Sequence, residues 1–147
     1  MQSGERKKID VPIGKVVRVL EQRTDIAAVY LFGSYGTEYQ TIHSDIDLGV
    51  IFLPEIKADL RTELELEVAL SLALETDRID VVNLNRSPIQ LRYRAIAEGQ
   101  LIYQADYVST SNFLEDTYKY YFDYAYHLKN FQRERCKALK EVYVDGG

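Results

Sequence analysis

The chain has 147 residues, 46% of them hydrophobic and 28% charged, and a formal net charge of −5. That length suits one domain with a real core, and no apolar run approaches the roughly 18 residues of a membrane span. The acidic balance argues against a tightly held nucleic-acid polymer, the single Cys136 leaves no intrachain disulfide, and Met1 to Lys8 carry no apolar signal segment, so a cytoplasmic protein away from membranes is expected.

In chain order, residues 1–10 read as a loose, charged lead-in. Ile13, Val16, Val17, Val19 and Leu20 then recur at helical spacing to about Arg23, with Pro12 suited to a first turn. A strand is predicted over 27–32 and a second over 45–53, where Pro54 ends it because proline cannot donate to a ladder. The stretch 59–76 predicts a second helix whose apolar residues, among them Leu60, Leu64, Leu66, Val68, Leu70 and Leu72, form a surface wide enough to suggest deep packing on the sheet. A third strand is predicted over 78–84. Ser87 and Pro88 then cap and open a helix over 88–98 that stops at Gly99, and Leu101 to Tyr103 suit a short fourth strand. From 111 to 142 there is no Gly or Pro, and the aromatic content is high, which predicts one long helix with more apolar surface than one face can bury. The expected fold is an α/β (α+β) domain over 1–106, a small mixed sheet of about four strands with helices packed on one side and the site on the open side. Residues 107–147 form a C-terminal helical extension suited to docking a partner.

The chemistry concentrates where Leu31-Phe32 gives way to Gly33-Ser34 and, ten residues later, to Asp45-Ile46-Asp47-Leu48. Side chains alternate along a strand, so Asp45 and Asp47 point the same way with bases roughly 6.5 Å apart. Acids in an apolar strand are costly unless neutralised, and divalent cations held by carboxylate oxygens neutralise them. Gly33 admits close approach of a ligand, and the amides and hydroxyl around Ser34 suit phosphate oxygens. Asp80, on the third strand, supplies another acid.

The string GSYGTEYQTIHSDIDL matches the Gly-Ser-x10-Asp-x-Asp signature of the polymerase-beta-like nucleotidyltransferase superfamily, and the short chain resembles its minimal nucleotidyltransferases (MNT) over residues 10 to 105. The resemblance implies that Gly33 and Ser34 hold the triphosphate of ATP, that Asp45 and Asp47 bind Mg²⁺, with two ions, and that Asp80 completes the set. It further implies nucleotidyl transfer, in which a hydroxyl attacks the α-phosphorus and pyrophosphate leaves while Asp80 helps deprotonate the acceptor. Relatives often carry Arg-Gly in the loop where this chain has Thr37-Glu38, which weakens the expected hold on the nucleotide. Proteins of this size and motif are commonly MNT antitoxins that transfer AMP to a tyrosine of a HEPN-domain ribonuclease toxin. A cognate HEPN partner in a hetero-oligomer is therefore implied.

Other polar residues carry plainer readings. Ser44 suits a local backbone bond, His43 a solvated loop, and His127 a structural or interface position, while Tyr39 suits either a loop anchor or base stacking. Arg92 and Arg94 could face the nucleotide or simply line an exposed helix face. Two histidines and one cysteine make no zinc set. Three alternatives stand beside the antitoxin reading: an RNA or small-molecule acceptor, a non-catalytic module that neutralises by occlusion, and an autoregulatory DNA-binding complex, for which no basic helix argues.

Overall fold

The computed structural model describes residues 12–32 and 46–145, with side chains described as far as residue 142. The elements run α1 (Ile13–Glu21), β1 (Ile26–Phe32), β2 (Ile46–Phe52), α2 (Leu60–Leu74), β3 (Ile79–Asn83), a 3-10 turn (Leu84–Arg86), α3 (Ile89–Glu98), β4 (Gln100–Gln104) and α4 (Tyr107–Asp145). The four strands form one sheet in the order β3-β2-β1-β4, with β2 and β3 parallel and the other two pairs antiparallel. This is the mixed α+β sheet with a long C-terminal helix that the sequence predicts. The long helix begins at Tyr107, where the C-terminal extension is expected to start and four residues ahead of the stretch 111–142 read as one helix.

A parallel pair needs a crossover, and α2 supplies it between β2 and β3. Asp59 starts this helix. Its carboxylate accepts from the Thr62 amide at 3.0 Å while the Thr62 hydroxyl accepts from the Asp59 amide, a capping box, and the bonds that the Thr62 amide and then its hydroxyl donate draw the Asp59 carboxyl below its usual 3.8. Between α1 and β1 the turn is drawn tight by Arg23, whose guanidinium donates to both oxygens of Asp25 at 3.1 and 2.8 Å.

The core has two layers. On one face Val16 and Leu20 of α1 and Leu66 and Leu70 of α2 pack against Val29, Leu31, Leu48, Val50, Ile79 and Val81. On the other, Leu91 and Ala95 of α3 and Phe113 and Leu114 of α4 cover Ala28, Tyr30, Phe32 and Ile51. Helices therefore lie on both sides of the sheet, not on one as expected. The reason is in β1, which is apolar on both faces and buried at all seven positions, so it must be covered twice.

The wide apolar face of α2 also behaves differently from expectation. Only Leu66 and Leu70 are buried in this helix, whereas Leu60, Leu64, Val68 and Leu72 are exposed. The sheet face is shared with α1, so α2 touches it along one row and turns a second apolar row outward.

Candidate active site

The odd-numbered residues of β2 point away from α1 and α2, toward the face that α3 and α4 only partly cover. Asp47 is the first described carboxylate there. It sits opposite Phe32 on β1 and opposite Asp80 on β3, so one row across the sheet reads Phe32, Asp47, Asp80. Paired residues on neighbouring strands stand about 4.8 Å apart and share a face, which places the two carboxylates side by side. Asp47 is half-buried and Asp80 exposed, and both, like Arg78 just ahead of β3, have interaction partners. The sequence thus separates by 33 residues two acids that the parallel pairing brings into register.

The row behind them is closed by size. A Cβ at Gly49 would stand 3.0 Å from Leu84 Cδ1 and 3.2 Å from Phe32 Cε1, so the glycine lets the Leu84 and Phe32 side chains close over the sheet immediately behind Asp47. The turn carrying Leu84 is itself pinned. Asn85 accepts from the Phe52 amide at 2.8 Å through Oδ1 and donates to the Phe52 carbonyl at 3.3 Å through Nδ2, extending the β2 edge with a side chain. Arg92 donates to the carbonyls of Ser87 (2.9 Å) and Asn85 (2.7 Å), and its guanidinium lies 5.5 Å from the centre of the Phe113 ring. Arg92 is therefore a half-buried clamp on the turn and on α4, not part of a plain exposed face. Arg94 is exposed.

Gly33, Ser34 and Asp45, along with Thr37, Glu38, Tyr39, His43 and Ser44, lie outside the described residues. Among the described residues no cluster of three His, Cys, Asp or Glu side chains is present. The described donors, Asp47 and Asp80, are all-oxygen and carboxylate, the donor type that hard divalent cations take.

Sequence reasoning missed Gly49, Asn85 and the clamping role of Arg92. Gly49 interrupts an otherwise apolar strand, and that break was a signal of close approach. The other two act through backbone groups brought near by topology, and nothing in their spacing announces it.

Tyr30, buried on the same face one row behind Phe32, has its hydroxyl pKa pushed up by burial and then by neighbouring Tyr118. Tyr118 belongs to an aromatic seam between α3 and α4: Tyr93 meets Tyr121 with ring centres 3.7 Å apart and Tyr118 at 5.7 Å, edge on. Gln90 donates to the Tyr124 hydroxyl at 2.9 Å. This seam fixes the first half of α4 over the sheet, and every residue from 131 to 142 is exposed. Among the described residues no helix is long and apolar enough to cross a membrane.

The family model described as polymerase beta, nucleotidyltransferase, matches residues 14–108. No curated protein matches the chain. Among solved structures, a chain of a toxin–antitoxin crystal structure with AMP-PNP is 25% identical, with a TM-score of 0.64 over 90% of this chain and 99% of that one. A chain from the complex of tri-AMPylated Shewanella oneidensis HEPN toxin with MNT antitoxin is 24% identical, with a TM-score of 0.58 over 89% and 95% of the two chains. One from the toxin–antitoxin pair MntA-HepT is 23% identical, again with a TM-score of 0.58, over 89% and 96%. The last two likenesses show the fold alone. With the family model spanning most of the chain and the carboxylate row standing on its sheet, the protein belongs to the polymerase beta nucleotidyltransferase family.

Proposed function

We propose that the chain is an antitoxin that transfers AMP from ATP to a tyrosine hydroxyl of a HEPN-domain ribonuclease toxin. The observation that carries the chemistry is the in-register pair Asp47 and Asp80 on the less covered face of the sheet. Support for the partner comes from the likeness to chains of toxin–antitoxin complexes, one holding AMP-PNP and another an AMPylated toxin.

In this reading the acceptor oxygen attacks the α-phosphorus of ATP, the bond between that phosphorus and the α–β bridging oxygen breaks, and pyrophosphate departs. Asp80, the more exposed acid, takes the acceptor proton. Asp47, half-buried against Phe32, fixes the geometry of the row. Gly33 and Ser34 would hold the triphosphate, and Asp45 would join Asp47 and Asp80 in holding Mg²⁺. When bound, such cations supply positive charge at the attacking and leaving oxygens. The stretch from Tyr118 to Tyr126, with Tyr120, Phe122 and Tyr126 exposed, lies on the helix that crosses this same face and would receive the partner.

The test is to incubate the protein with Mg²⁺, ATP and the product of its genomic neighbour, and to weigh that product intact. A gain in AMP-sized steps, abolished by Asp47→Asn, is the expected result. An unchanged mass with a stable complex would overturn transfer in favour of neutralisation by occlusion.

A further inference from the structure

The outward row of α2 is the most exposed apolar feature of the globular part: Leu60, Leu64, Val68 and Leu72 are 64%, 49%, 57% and 75% exposed. They follow one another every four residues, a continuous stripe about 18 Å long. Leu60, Leu64 and Val68 line a shallow groove of about 540 Å³ whose other walls are Arg61 and Glu65. The helix and its caps are acidic, with Asp59, Glu63, Glu65, Glu67 and Glu75 against the lone cation Arg61. Contiguous apolar surface of this kind on a soluble domain marks an interaction site.

A second unpartnered stripe exists elsewhere on the chain. Leu128, Phe131, Leu139 and Val142 of distal α4 are exposed. With Arg135 between them, their spacings of three, four, four and three residues put all five within about 80° of one helix face. Charge on this segment is opposite to that of α2: Lys129, Arg133, Arg135, Lys137 and Lys140 outnumber Glu134 and Glu141. The two stripes match in length, apolarity and sign, yet α2 packs on one face of the sheet and α4 on the other.

We propose that the chain associates with a second copy of itself, the distal α4 of one copy lying along the α2 stripe of the other. The contact joins two different surfaces, and reciprocal exchange closes it into a pair. It leaves the carboxylate row uncovered, because α2 is on the far side of the sheet. It stands independently of the transfer reaction proposed above.

The test uses the full chain and light scattering after size exclusion, across a range of micromolar concentrations. Wild type is expected at twice the monomer mass. Leu64→Asp with Leu72→Asp, and separately Leu128→Asp with Leu139→Asp, should each give a monomer, with dissociation constants raised at least 100-fold and circular dichroism unchanged, since all four sites are exposed. Mixing these two variants restores one of the two contacts, because the first keeps its α4 stripe and the second its α2 stripe, so a pair forms that is weaker than wild type but tighter than either variant alone. Raising the salt concentration weakens the wild-type pair. A monomeric wild type, variants that still pair alone, or a mixture that stays monomeric would overturn the proposal.

Discussion

The two faces of the sheet are built to different rules. The face under α1 and α2 is filled chiefly with Val, Leu and Ile, and the α2 carboxylates reach the sheet only at its edge strand, where Glu67 accepts from the Val81 amide at 3.1 Å, whereas the other carries Asp47 and Asp80 beside Phe32 and is covered only where β1 demands it. The same strands serve both, because alternation turns the even residues of β2 to the α1–α2 core while the odd ones, Asp47, Gly49 and the buried Ile51, face the other side. One face can therefore be damaged without the other, and substitutions separate them.

The largest effect belongs to the closed face. Leu66→Ala, fully buried, should cost about 3–4 kcal/mol in unfolding free energy, while transfer per folded molecule stays at wild type; chemical denaturation beside the mass assay checks both. On the other face, Asp47→Asn or Asp80→Asn should slow transfer by more than the roughly 100-fold, about 2.7 kcal/mol, that even outer partners of a metal site are worth. The melting temperature should hold, and a large fall would show that the acids serve the fold instead.

Gly49→Ala tests the boundary. The added methyl presses on Leu84 and Phe32, so stability should fall by about 1–3 kcal/mol and transfer should fall with it, because Phe32 flanks Asp47. A loss of stability alone would mean that the row of acids is insensitive to its floor. The smallest effect is at Asp59. Its folded carboxyl titrates below the unfolded value near 3.8, so the cap stabilises at neutral pH and that contribution is lost as pH falls through the depressed value. Melting curves of wild type and Asp59→Ala should differ at pH 7 and converge in acid.

Much of this was legible from residues alone. Apolar runs and turn residues located all four strands and four helices, and put Asp80 on the third strand before any pairing was known. The motif from Gly33 to Asp45 lies outside the described residues, so the structure speaks only to Asp47 and Asp80. Strand order was not legible, since no local pattern says that β3 lies beside β2. Nor was the fate of α2: periodicity reveals an excess of apolar residues, but which row is buried depends on α1 having already filled half the face. Gly99 was placed correctly at a helix end for an incomplete reason. Its φ of −83° suits any residue, and what excludes a side chain is the approach of the Ala95 carbonyl and, at 3.0 Å, that of Leu31.

The strand order also sets a timetable. A ribosome adding about 5–20 residues per second needs roughly 2 to 7 s to travel from Asp47 to Asp80, so the nascent chain carries half of its acid row well before the other half exists. The outer edge of β1 waits longer still, until Gln100–Gln104 emerges to pair with it. The row of acids is therefore completed late in synthesis, and a message cut short before β3 yields a product with strands but no such row.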